Sequence, residues 1–265
     1  MDPNSTRLFI HCYAGDAVMI IDAMDCIQMH RLPITVMSPE DHPAAIHYEG
    51  IDNVHAGKQA YIGQDSLDRQ ILHMKAMLNY PEEWFLCYDA DSFFLDPEIP
   101  AYLYQDKNVL WSCQLGDGIA DHQPFFEEGW PHIALQPPYF MHRSVCEKLI
   151  AVADDPRCKA SPMMPFIDFF MLQLVMVANV PWKRFLGCIN SGVEVSTRRR
   201  HITVPELVRE SPAFNRAVDL VNEGGVVIHS MKSHHGLRYL IEVRRQYKVR
   251  NPRAKLPDWP YPTVT

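Results

Sequence analysis

The chain has 265 residues, 47% hydrophobic and 22% charged, with a formal net charge of −7. This composition excludes the disordered and fibrous classes and leaves room for a sizeable core. The longest apolar stretch, FFMLQLVMVANV at 169–180, runs for 12 residues and contains Gln173 and Asn179. A bilayer span needs about 20, so the stretch reads as a buried helix and no transmembrane segment is expected. The opening MDPNSTR has no basic-then-apolar signal layout, and the seven cysteines form no Cys-x-x-Cys pair. Reduced thiols in a cytoplasmic protein are expected.

Charge is distributed as a gradient. Residues 1–100 carry 16 acids and 5 bases, residues 101–190 carry 9 and 7, and residues 191–265 carry 7 and 13. The acidic front suits a divalent cation. The basic end, with Arg198, Arg199, Arg200, Arg244, Arg245, Lys248 and Arg250, suits phosphates or a solvated face.

RLFIHCY at 7–13 is a β-branched and aromatic run closed by Ala14-Gly15-Asp16, and 17–30 follows as a helix without Gly or Pro. ITVMS at 34–38 is a second strand, closed by Pro39-Glu40-Asp41. Leu67, Ile71, Met74 and Leu78 then form a helical stripe over 64–80, with Arg69 and Lys75 off it. WFLCY at 84–88 is a continuous apolar strand of the kind buried in a parallel sheet. This alternation predicts an α/β fold. Further on, a strand is expected near 108–113, a Pro-rich passage at 131–138, and helices at 144–153, 164–178 and 213–222. VVIH at 226–229 reads as a short buried strand, 236–250 as a basic helix, and the tail from Pro252 as an extended strap. With no repeat and no low-complexity linker, 1–265 reads as one domain.

The most informative segment is EEWFLCYDADSFFLDPEIP at 82–100, where an apolar strand runs straight into Asp89-Ala90-Asp91. The 19 aspartates give about 1.4 Asp-x-Asp pairs by chance, so the motif draws its weight from its place at a strand's C-terminal end. Ligands of open α/β sheets bind there, and two carboxylates one residue apart on a turn can share a hard cation.

On these residues the chain resembles the nucleotide-sugar-dependent glycosyltransferases of the GT-A fold. LFIHCYAGD at 8–16, the helix with Arg69 and Lys75, and VVIHSMKSHHG at 226–236 extend the resemblance over about residues 7–236. It implies a Rossmann-like central mixed sheet flanked by helices, with a nucleotide-sugar-binding half (1–108), an acceptor half (109–235), and a basic C-terminal helix with a Pro-rich strap (236–265). It also implies a manganese or magnesium ion on Asp91, completed by His229, with Asp89 sharing the metal or contacting a ribose hydroxyl and Lys232 near the diphosphate of a nucleoside diphosphate sugar. Asp16 and Asp41 would contact ribose or base, and Arg69 or Lys75 a phosphate or the carboxylate network. Asp168, at the front of a helix, is the expected catalytic base. The segment PYFMHRSVCEKL at 138–149 would line the acceptor pocket, with Tyr139 a sugar-stacking face or a core residue.

The reaction implied is transfer of a hexosyl or pentosyl group to a hydroxyl acceptor. Some bacteriophages glycosylate hydroxymethylated pyrimidines in their DNA. The basic end is compatible with duplex DNA as a partner, through Arg198, Arg199, Arg200, Arg244 and Arg245. A glycan or small-molecule acceptor is the alternative. A sugar nucleotidyltransferase is a second class, but CYAGD has one glycine and no nearby lysine where that class needs a basic glycine-rich loop. A non-catalytic nucleotide- or nucleic-acid-binding module is a third. His234-His235 and the group Asp117, Asp121, His122 have no recognised zinc spacing.

Overall fold

Strands β1 (Thr6–His11) and β4 (Trp84–Asp89) are apolar on both faces, and that pattern places them in the middle of a sheet covered on both sides. The computed structural model describes residues 5–12, 15–43, 46, 48–60, 63–114, 133–159, 167–193 and 201–259; the side chains of 114, 167–169, 191 and 192 lie outside that description. β1 and β4 pair in parallel at the centre of a seven-stranded sheet. On one side of β1 lie β2 (Ile34–Ser38) and β3 (Ile51–His55), both parallel to it. On the other side of β4 lie β7 (Leu135–His142), β6 (Leu110–Gln114) and β8 (Trp182–Arg184); β7 runs antiparallel to both its neighbours and β6 parallel to β8. The sheet order is β3-β2-β1-β4-β7-β6-β8, a mixed α/β sheet flanked by helices, as the sequence predicts.

Alternate residues of the central strands feed two cores. Leu8, Ile10, Leu86 and Tyr88 face helices α1 (Ala17–Asp22) and α2 (Met24–Gln28), and α7 (Pro212–Asn222) and α8 (His234–Arg250) belong to the same cluster. Phe9, Phe85 and Cys87 face α3 (Gly63–Met77), α4 (Arg143–Ala151) and α5 (Ile167–Val177). At about 25 cal/mol per Å², each fully buried Phe or Leu contributes roughly 1.5–3 kcal/mol.

The expected helix over 17–30 is instead two short helices broken at Ala23. The passage with Pro137 and Pro138 is a strand: the pairing steps from Ser112–Tyr139 to Cys113–Gln136, so neither proline, lacking an N–H, is asked to donate. A second sheet, β5 (Phe93–Phe94), β10 (Val227–Met231) and β9 (Cys188–Val193), folds against the end of β4. The helix α6 (Val204–Glu210) opens with a capping box from Thr203 and Glu206. After α8 the chain is extended, and the Pro257 carbonyl accepts from the Gly187 amide at 2.7 Å. No helix among the described residues is long and apolar enough to cross a membrane.

Candidate active site

Two carboxylates leave β4 together. Asp89 is its last residue and stands opposite His11 of β1. The Ser92 amide donates to the Asp89 carbonyl at 3.3 Å, closing the turn that sends the chain into β5. β10 pairs with β5, so its end is laid across this turn. The Met231 amide donates to the Asp91 backbone carbonyl, and Ser230 Oγ donates to Asp91 Oδ2, both at 2.7 Å.

Ser92 Oγ donates to Asp91 Oδ1 at 3.2 Å and lies 2.5 Å from His229 Nδ1. A hydroxyl has one proton, so with that proton on Asp91 the imidazole must be the donor. The hydrogen-bond pattern thus puts a proton on His229 Nδ1. His229 Nδ1 is 4.0 Å from Asp91 Oδ1, and Lys232 Nζ is 3.8 Å from Asp91 Oδ2. The Asp91 and His229 side chains keep only 14% and 11% of their exposure, so charges act there through a poorer dielectric than water. Carboxylate oxygens and an imidazole are donors that manganese or magnesium accept, but Asp89, Asp91 and His229 are not among the described groups whose ligand atoms all lie within 4.8 Å of one another.

A second group lines the same edge of the sheet. His11 and Ser38 end β1 and β2, and Ser38 Oγ lies 2.7 Å from His55 Nδ1 at the end of β3. His73 of α3 reaches across: its Nε2 is 3.1 Å from the Ala56 carbonyl and its Nδ1 is 3.1 Å from His11 Nδ1. A carbonyl only accepts, so His73 carries its proton on Nε2 and His11 donates from Nδ1. The His11 Nε2 lone pair then has no hydrogen-bond partner among the described residues. Burial holds both imidazoles below the usual histidine range, His73 at about 4, with the Arg69 guanidinium adding to the effect on each. Both are neutral at pH 7.

The remaining expected residues are placed unevenly. Asp16 is half-buried at the start of α1, on the same sheet edge. Asp41 is exposed, and its Oδ1 accepts from the Gln59 amide at 2.7 Å, which holds its carboxyl below the usual range. Arg69 is buried, not solvated: Gly57, at φ +71°, lies against it so closely that a Cβ there would stand 2.9 Å from the Arg69 Cα. Lys75 is exposed in the last turn of α3, off the face that carries Arg69 and His73. Asp168 sits in the first turn of α5, its side chain outside the described residues, as are Asp117, Asp121, His122 and Arg198–Arg200 altogether.

Two residues differ from expectation in a definite way. Tyr139 is buried in the α3–α5 core, its hydroxyl donating to the Leu135 carbonyl at 2.6 Å, so its ring packs and is not offered as a sugar-stacking face. Arg244 is also buried. Its guanidinium holds Asp96 through Nε and Nη2 and the Gly224 carbonyl through Nη1, which removes it from any phosphate-facing surface. Arg245 is exposed and paired with Glu242 at 2.7 Å. The His11–His73 pair was missed in the sequence, and so was the approach of His234 to Asp22 and His201, because neither leaves a spacing to read.

No family model matches the chain, and no curated protein matches it in sequence. Among solved structures it is similar to a glycosyltransferase involved in the glycosylation of the major capsid of PBCV-1. The identity is 8% and the TM-score 0.41, over 89% of this chain and 98% of that one. It is also similar to the glycosyltransferase GlyE of Streptococcus pneumoniae TIGR4, at 10% identity and a TM-score of 0.43, over 96% of this chain and 65% of that one. Likenesses this distant carry no argument about the chain's chemistry, which rests on the residues above.

Proposed function

We propose that the chain is a glycosyltransferase that moves a sugar from a nucleoside diphosphate to a hydroxyl acceptor at the Asp89–Asp91 turn. The observation that carries this reading is the convergence of Asp91, His229 and Lys232, a carboxylate, an imidazole and an ammonium, at the C-terminal end of a central strand. Breaking a sugar–phosphate bond leaves negative charge on the departing diphosphate, and such a site stabilises it. Asp91, Asp89 and His229 would hold a manganese or magnesium ion, which supplies Lewis-acid stabilisation of that charge. Lys232 adds a fixed positive charge beside the same oxygens. Asp16 serves the nucleoside end, on the neighbouring strand edge. In an inverting reaction the acceptor hydroxyl would lose its proton to Asp168 as the new C–O bond forms and the bond to the diphosphate breaks.

The acceptor stays at the level of a hydroxyl. A duplex DNA acceptor would draw on Arg198–Arg200 and the exposed basic residues of α8, without the buried Arg244. The test is turnover: the purified protein is mixed with manganese and a panel of nucleotide sugars, and released nucleoside diphosphate is measured with and without acceptors, hydroxymethylated DNA included. One donor should release its diphosphate, and Asp91→Asn should cut that release at least about a hundredfold. Equal release by wild type and variant would contradict the reading.

A further inference from the structure

Asp22, His201 and His234 come from three separate parts of the chain: the last residue of α1, the residue run just before α6 and the first residue of α8. One ligand atom from each lies within 4.8 Å of the other two. Asp22 Oδ2 is 3.8 Å from His234 Nδ1 and 3.9 Å from His201 Nδ1, too far for a hydrogen bond to either. That oxygen is out of contact with water, and no hydrogen-bond donor reaches it among the described residues. A buried anionic oxygen left this way, with two imidazole nitrogens turned toward it, is a gap shaped for a cation.

We infer that Asp22, His201 and His234 form a binding site for a transition-metal dication of the zinc type, separate from the carboxylates of the Asp89–Asp91 turn. Two imidazole nitrogens and one carboxylate oxygen are the donor set such ions take, at bond lengths of about 2.0–2.2 Å. Tetrahedral ligation at those lengths sets neighbouring ligand atoms roughly 3.3–3.6 Å apart, so the two carboxylate–imidazole separations stand about half an ångström or less outside that range, and the imidazole pair, within 4.8 Å, about 1.5 Å at most. Asp22 is held from behind, since Arg238 donates to its backbone carbonyl at 3.0 Å and to Asp25 at 2.9 Å. Asp22 and His234 also line a pocket with Ala90, Phe93 and Lys232, next to the Asp89–Asp91 turn. A bound ion would tie the entry of α6 to α1 and α8.

The inference stands apart from the proposed transfer reaction, and its readout is metal binding, not activity. Full-length protein free of any histidine tag is stripped with a chelator and titrated with zinc against a chromophoric competitor, then with cobalt followed by visible absorption. Wild type should bind one equivalent of zinc, and its cobalt form should show d–d bands without a thiolate charge-transfer band. His201→Ala, at an exposed position, and His234→Ala should each weaken zinc binding at least about tenfold while the metal-free melting temperature stays put. Asp91→Asn should bind zinc as wild type does. No stoichiometric binding by wild type, binding that survives both histidine changes, a thiolate band from the seven cysteines, or loss of zinc in Asp91→Asn would each overturn the inference.

Discussion

The acidic front of the chain carries a net −11 and its basic end +6, and the fold uses the two in opposite ways. In the front half, β1 and β4 run parallel side by side, so their last residues, His11 and Asp89, arrive together, and β10 is laid over the turn to bring His229 and Lys232 to Asp91. At the basic end the charges are spent on neighbours: Arg244 on Asp96, Arg245 on Glu242, and Lys248 on Asp96 and Glu98. Net charge along a sequence therefore says little about a partner until the topology shows whether the charges converge or cancel.

That contrast can be broken at Arg244. If it belongs to the core, Arg244→Met strands the Asp96 carboxylate in a buried site and should cost about 3 kcal/mol, seen as a large drop in the urea midpoint. Lys248 Nζ, 3.7 Å from Asp96, offsets part of the loss. An unchanged midpoint combined with weaker, salt-dependent DNA binding would return Arg244 to the surface role.

The histidine edge gives a second, smaller effect with a defined pH window. His73 is held at about 4 when folded and returns to about 6.5 when unfolded, so the unfolded chain binds the extra proton between those values. Its neutral form stabilises the fold fully above pH 6.5, and stability falls as pH drops toward 4, by about 3 kcal/mol at most from this residue. Urea unfolding between pH 4 and 7 should show that slope, and His73→Asn should flatten it. A slope unchanged in the variant would place the buried proton elsewhere, with His30, also near 4, the next residue to change. The smallest effect is expected at Arg245, whose exposed pair with Glu242 should be dispensable: Arg245→Ala should leave the melting temperature unchanged.

The parts of this fold that were legible are those where local pattern and final environment agree. WFLCY could only be a strand buried on both faces, and the stripe of Leu67, Ile71 and Met74 could only be a helix packed on a sheet. The places of Asp89, which ends β4, and Asp91, just beyond it, were legible from that strand, whereas His229 lies inside β10 and not at its end as the sequence suggested. β7 was hidden by Pro137 and Pro138, the two residues that the step from Ser112–Tyr139 to Cys113–Gln136 leaves without partners on β6. β3 is a half-exposed strand with little apolar alternation to see. The His11–His73 bond needs α3 to lie over the end of β1, and the meeting of Asp22, His201 and His234 needs three elements to pack, so neither has a spacing in the chain.

The most direct test of the Asp91 site is a calorimetric titration with nucleoside diphosphates, in the presence and absence of manganese, on wild type and Asp91→Asn. The account predicts that one nucleoside diphosphate binds wild type only with manganese and that the variant loses this binding. Binding of equal strength in the variant, or binding indifferent to manganese, would contradict a site centred on Asp91.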